Sequence, residues 1–317
     1  SPDLTWIKHR NGTSWHHLYD SIRGTNTRLH SNSTQAESSY ANSLTAFNND
    51  GISLGSADEV NYSGRTYVAW CWDMGNTTVT NTSGSENSTV RANPTYGQSI
   101  VSYVGKEVAG TTYGHGLNSA PELIIVRNRS RVSNWKVYYG DNTDALTLNT
   151  TAATDDQTYY WNDTSPTSSV FTVGAGTETN GNDENLVAYC FHSVTGYSKI
   201  GSYTGTGSSG KSITTGFRPA FVMVKKSSGT DSWLIMDSTR NPINPVTNTL
   251  AANSNGAENA DTGGIPTNFT DTGFTLTGTG GDYNASGSDY IYMAFAGGMD
   301  SISDYNTDGT IDSRVKA

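Results

Sequence analysis

The chain has 317 residues, of which 34% are hydrophobic, and its 29 acidic residues outnumber 19 Lys plus Arg to leave a formal charge of −10 at pH 7. That length exceeds one ordinary sandwich and allows several cores, while the negative balance and the lack of a basic stripe interleaved with aromatics argue against nucleic acid as a partner. No apolar run approaches the ~20 residues that cross a bilayer, so no membrane partner is expected, and richness in Gly, Ser, Thr, Asn and Tyr without helical apolar spacing predicts short strands and almost no helix.

The first residues, Ser1 to Trp6, carry neither a charged n-region nor an apolar core of a signal peptide, and the missing start Met suggests a processed product or a fragment. Pro2, Leu4, Ile7, Lys8 and Trp15 form an opening block that returns as Pro121, Leu123, Val126, Arg127 and Trp135, then as Pro219, Phe221, Val224, Lys225 and Trp233. Lys8 and Arg127 lie 119 residues apart, Arg127 and Lys225 lie 98 apart. A second block, Asp20, Ser21, Arg23, Leu29, Asn32, Ser33, Ala36 and Glu37, recurs as Asp237, Ser238, Arg240, Leu250, Asn253, Ser254, Ala257 and Glu258; between them only Leu146, Asn149 and Ala153 remain.

Beyond Asn61 stand Val68, Ala69, Trp70, Cys71 and Trp72, matched beyond Asn180 by Val187 to Phe191 and beyond Asn284 by Ile291 to Phe295. An opening strand reads Gly97, Ser99, Ile100, Ser102, Tyr103, Gly105 and again Gly196, Ser198, Ile200, Ser202, Tyr203, Gly205. The first copy has no such strand ahead of it, and Asn306, Thr307, Gly309, Ser313, Val315 and Ala317 align with Asn81, Thr82, Gly84, Ser88, Val90 and Ala92.

A period near one hundred residues, with short alternating runs bounded by turn residues, points to successive sandwiches and not to a solenoid. The expectation is an all-β protein of three tandem antiparallel β-sandwiches of jelly-roll type, set like beads on a string. Residues 1–80 form the first, which lacks its opening strand; 81–96 are a linker, 97–195 the second sandwich, 196–297 the third, and 298–317 a linker to a following repeat or partner. A neighbouring chain or a preceding segment is expected to supply the missing strand, because an open sheet edge invites strand addition.

Cys71 and Cys190 hold one repeat position on separate buried strands and read as free core thiols. Trp15, Trp135 and Trp233 recur at one position and read as core anchors. Trp161, flanked by Tyr159 and Tyr160 in a turn-rich stretch unique to the second copy, is the candidate glycan-contact surface.

Asp304, Asn306, Asp308 and Asp312, with Gly309, resemble a calcium loop with oxygen ligands at alternate positions, although Val315 stands where the bidentate Glu belongs. The alternative is a solvated linker. His9 and His16 could form a metal pair, but with His17 they read more simply as surface histidines. Asp20 with Arg23, and Asp237 with Arg240, read as charge-assisted bonds pinning a loop. Eleven Asn-x-Ser/Thr sequons, beginning with Asn11, Asn32 and Asn61, are either glycosylation sites or accidents of composition. No nucleophile elbow, zinc-protease helix, phosphate-binding Gly loop or Cys-x-x-Cys pair occurs.

The phrases from Tyr67 to Trp72 (YVAWCW), Gly114 to Val126 (GHGLNSAPELIIV), Gly196 to Gly205 (GYSKIGSYTG) and Gly216 to Lys225 (GFRPAFVMVK) resemble a repeat family found in structural proteins of marine and cyanobacterial phages. The resemblance covers nearly the whole chain. It implies concanavalin A-like, lectin-type sandwich domains on tail fibres, capsid decorations or other virion appendages, and with them attachment to host surface glycans.

The resulting expectation is a non-enzymatic structural component at the virion surface, extracellular, assembling with copies of itself or with other virion proteins. A glycan-binding adhesin or receptor-binding protein is the alternative, and a lectin-fold glycan-degrading enzyme the next. No cofactor is expected, with calcium the single candidate.

Overall fold

Three runs that are apolar or aromatic at almost every position, within Thr66–Trp72, Asn185–Phe191 and Asp289–Ala296, form strands buried along both faces. The computed structural model that shows this describes residues 1–260, 262, 264–297 and the backbone of 302–306. Because successive side chains of a strand point to opposite faces, each run splits between two cores. Val68, Trp70 and Trp72 enter one cluster while Tyr67, Ala69 and Cys71 enter another; Val187, Tyr189 and Phe191 part in the same way from Leu186, Ala188 and Cys190.

These strands lie inside three antiparallel sheets of matching order. In the first, Thr66–Trp72 lies between Ile302–Asn306 and Leu4–His9, and His16–Asp20 follows Leu4–His9. In the second, Asn185–Phe191 lies between Gln98–Val104 and Leu123–Asn128, with Trp135–Tyr138, Asp144–Thr147 and Asp155–Asp156 beyond. In the third, Asp289–Ala296 lies between Ser198–Thr204 and Pro219–Lys226, with Leu234–Asp237 and Leu250–Ala251 beyond. Among the described residues the paired strands are all antiparallel, a lone parallel bridge joins Glu86 to Tyr113, and the four helices, Asp58–Asn61, Thr158–Trp161, Thr177–Asn180 and Gly281–Asn284, are single turns. The protein is all-β.

A smaller layer covers the outer face of each sheet. Leu44 and Val60 lie on Tyr19 and Tyr67 of the first. Tyr113 and Phe171, from the paired strands Thr111–Gly114 and Val170–Val173, lie on the second. Ile213, Phe269 and Phe274, from the three-stranded sheet of Lys211–Thr214, Gly273–Leu276 and Thr267–Thr270, lie on the third.

The inner faces do not close separately. Trp6, Trp70 and Trp72 share one cluster with Ile125, Trp135 and Phe191 and with Phe221, Met223 and Phe295. Trp72 meets Phe221 and Phe295 edge to face at ring separations of 5.8 and 5.9 Å, and Phe191 meets Phe295 at 6.0 Å. Each segment therefore keeps an outer core of its own and shares its inner core with the other two, unlike separate beads. Each large apolar side chain buried here contributes about 1.5–3 kcal/mol relative to exposure, and the inner half of that contribution exists only when all three sheets are assembled.

Two further expectations change. The strand missing from the first sheet comes from this chain's own Ile302–Asn306, which pairs Ile302 with Trp70 as Ile100 pairs with Tyr189 and Ile200 with Met293. The stretch read as a following linker thus holds a sheet strand, and its motif is the Ile-x-x-Tyr of the opening strands. The residues read as the linker 81–96 largely belong to a hairpin, Thr78–Asn81 and Ser88–Asn93, that extends the second sheet beside Gln98–Val104. This hairpin accounts for the longer first period.

Candidate functional site

The sheets meet at seams sewn by buried polar groups. At the first, Ser133 N–H donates to the Thr34 carbonyl at 2.9 Å; at the others Asp231 N–H donates to Thr151 and Ser14 N–H to Asn255, both at 2.9 Å. Buried Arg127 and Lys225 reach the same carbonyls, Thr34 O at 2.7 Å and Thr151 O at 3.3 Å. Deprived of water, these cations are held below their ordinary pKa, Arg127 at about 10 and Lys225 at about 8, burial being the main cause.

The acid–arginine pairs expected at Asp20–Arg23 and Asp237–Arg240 are present and fully buried. They do more than pin a loop. Asp20 accepts from the Tyr189 hydroxyl at 2.8 Å, and Glu37 joins Arg23 to Arg129 of the second sheet at 3.1 and 2.8 Å. Asp237 likewise accepts from the Trp70 indole at 3.1 Å, and Glu258 joins Arg240 to Arg10 of the first sheet at 2.7 and 2.9 Å.

The aromatic triplet proposed as a contact surface is mostly interior. Trp161 is 1% exposed, edge to face with Tyr138 at 5.7 Å, and Tyr160 is buried beneath the Lys136 ammonium; Tyr159 alone is exposed. On the single turn Thr158–Trp161 consecutive side chains point about 100° apart, so three in a row cannot share an outward face. Of the calcium candidates, Asp304 and Asn306 lie on the paired strand Ile302–Asn306 and not in a loop, while Asp308 and Asp312 lie outside the described residues. Cys71 and Cys190 are free and buried, as expected.

The histidines are not on the surface: His9, His16, His17 and His30 are all buried. Strand register shows why. Lys8 lies opposite His16 and Arg127 opposite Trp135, so His16, and not Trp15, holds the place of Trp135 and Trp233. The backbone N–H groups of His16, Trp135 and Trp233 accordingly bond to the side-chain oxygens of Asn32, Asn149 and Asn253 at 3.0, 2.8 and 2.8 Å. Trp15 sits one residue earlier and is freed from the core to stand half-buried at a seam.

There it borders an open pocket of about 330 Å³ with Ser14, His17, Arg28, Glu59 and Asn255. Arg28 and Glu59 form a close ion pair, and Glu59 also accepts from the Tyr19 hydroxyl at 3.0 Å. Trp15 meets the His30 ring at 4.7 Å, and His30 meets His17 at 4.9 Å. His30 Nδ1–H donates to the His16 carbonyl at 2.9 Å. His17 has no hydrogen-bond partner on either ring nitrogen among the described residues, and its Nδ1 stands 4.0 Å from Glu59 Oε1. Burial, then the neighbouring His30 and Arg28, push the His17 pKa well down, and burial takes His30 to about 4, so both rings are neutral at physiological pH.

A second pocket, of about 310 Å³, occupies the corresponding place at the first seam, with Thr34, Arg131, Asn134 and Glu178. Asn134 takes the position of Trp15 there, and Glu178 that of Glu59. The acidic residues were overlooked in the sequence, yet their signal is present: Glu59, Glu178 and Asp282 each stand two residues before the recurring Asn61, Asn180 and Asn284. The Asn residues themselves are structural, Asn180 and Asn284 each bonding three backbone groups at 2.7–3.0 Å.

Residues 1–298 match the family model described as a domain of unknown function, DUF7483. The chain belongs to this family. No curated protein and no solved structure matches the DUF7483 chain significantly.

Proposed function

We propose that this DUF7483 protein is a non-enzymatic structural component of a phage virion surface, an appendage, fibre or decoration built from three tandem copies of one sandwich unit, displayed outside the cell and assembling with copies of itself or with other virion proteins. One observation carries the reading: three sheets close around one core and the chain's own strand Ile302–Asn306 completes the first of them, which suits a rigid part made to hold and present. The phage assignment rests on the motif resemblance. Antibodies to the purified chain are expected to label phage particles of the host that carries the gene in electron micrographs; particles that stay unlabelled while the protein is abundant in the lysate overturn it.

A glycan-binding adhesin is the second reading, favoured by the half-buried indole of Trp15 beside an arginine–carboxylate pair in an open pocket. Aromatic faces bind the apolar faces of sugars, and paired donors and acceptors bind their hydroxyls. A glycan array probed with the labelled chain is expected to show saturable signal for one sugar class; a blank array removes this reading and leaves the structural one standing. The enzymatic alternative is weaker, because the acids brought together, Glu37 with Asp20 and Glu258 with Asp237, are taken up by Arg23 and Arg240, whereas glycoside hydrolysis needs two free carboxyls facing a cleft.

A further inference from the structure

We propose that the pocket between Trp15 and Glu59 binds one ring of a neutral pyranose through a vicinal diol, and that His17 at its floor selects that ligand. The inference rests on the glycan-binding reading above. Its first support is the one-residue offset that puts His16 in the core and leaves Trp15 half-buried at the rim, where one ring face can meet a sugar.

Charge gives the ligand class. Arg28 and Glu59 neutralise one another, so an anionic sugar would face the carboxylate and a cationic one the guanidinium. A carboxylate offers about four acceptor positions, of which Tyr19 and Arg28 use two. The guanidinium offers five donors, and Glu59 and Ser38 engage two of its nitrogens. An acceptor and a donor thus remain side by side, the complement of two adjacent hydroxyls.

His17 is the independent observation. It is 3% exposed, lines the pocket, and has both ring nitrogens without a hydrogen-bond partner among the described residues. Buried polar groups are ordinarily satisfied, and a neutral imidazole presents one donor and one acceptor, as a hydroxyl pair requires. The second seam pocket has Asn134 in place of the indole and lacks the aromatic face, so it serves as an internal control.

Calorimetric titration of the full chain with neutral methyl pyranosides and neutral oligosaccharides, alongside glucuronate- and sialate-bearing glycans, tests this. At least one neutral member is expected to bind, with affinity lowered about tenfold or more in Trp15→Ala and partly kept in Trp15→Phe. His17→Gln, which retains a donor and an acceptor, is expected to bind better than His17→Leu, and Asn134→Ala to bind as the unaltered chain does. Should Trp15→Ala fail to fold by near-UV circular dichroism, a shift of the Trp15 indole N–H signal on adding the sugar to the unaltered chain gives the same reading. Binding of charged glycans alone, or neutral binding that survives in folded Trp15→Ala, overturns this site and leaves glycan binding standing. A chain that binds no glycan on the panel overturns both.

Discussion

Trp135 donates its indole N–H to the backbone carbonyl of His30, 2.8 Å away across the seam between the second and first sheets. Trp233 does the same to Thr147 of the second sheet at 3.0 Å, and His16 Nε2 to Ala251 of the third at 3.0 Å. Trp6 fixes the His16 tautomer, because its indole N–H donates to Nδ1 at 2.8 Å and leaves the proton on Nε2. Each sheet therefore bonds to the one before it, and the first bonds to the last.

Changing Trp135 to Phe removes one of these donors while keeping an aromatic ring in the core. The His30 carbonyl keeps the longer bond from Ser33 N–H at 3.3 Å, so the loss is that of one hydrogen bond, about 0.5–1.5 kcal/mol. The expected result in guanidinium denaturation is a loss of that order at an unchanged slope, and equal stability of the two chains would show that the ring bonds contribute nothing.

A shared core predicts joint unfolding. Ile100, Leu123, Ile125, Val137, Tyr189 and Phe191 of the second sheet face the other two sheets, so residues 97–195 produced alone expose that face. Such a fragment is expected to bind a hydrophobic dye and to lack a near-UV circular dichroism signal, whereas the full chain melts in one calorimetric transition. Folding of the fragment with a sharp transition of its own would restore separate domains.

Ending the chain after Gly297 removes the strand paired with Thr66–Trp72. The bared edge exposes a row of unpaired backbone groups, which templates association. Light scattering is expected to show self-association and calorimetry a lower melting temperature, both reversed by adding a peptide of residues 300–308. A truncated chain that stays monomeric and equally stable contradicts the closing role.

Acid should loosen the molecule through its buried imidazoles. Burial lowers His30 and His115 from the ordinary 6.5 to about 4, and His16 and His17 well below it. Between these limits the unfolded chain binds more protons than the folded one, so stability falls as pH drops from 6.5 towards 4. His30 accounts for roughly 3 kcal/mol of this. Asp3 acts in the opposite sense, because burial outweighs Arg91 and raises its pKa to about 6. Melting temperatures across this range are expected to rise with pH, and more gently in His30→Gln; a flat profile would mean that the rings are solvated.

Much of this was legible beforehand. The runs from Val68 to Trp72 and their two counterparts mark strands, their unbroken apolar character is the signal for two buried faces, and the acid–arginine pairs stand at one spacing in matching blocks. Trp15 misled because a Trp in the right neighbourhood is counted as the repeat residue, whereas His16, the other ring with an N–H donor, occupies the core position. Trp161 misled because a polar, turn-rich context says nothing of which way a single helical turn faces. Glu59 and Arg28 lie 31 residues apart in the chain, and no local pattern joins them.

By itself the sequence determined the all-β class, the matching blocks and the face on which most strand residues lie, because these follow from local periodicity and turn chemistry. Only the tertiary structure decided that the inner faces join in one core, that Ile302–Asn306 closes the first sheet, and that Trp15, His17, Arg28 and Glu59 meet at a seam. Those are contacts between distant segments, set by how three sheets pack together, and a period-two pattern tells which side of a strand is buried without telling what buries it.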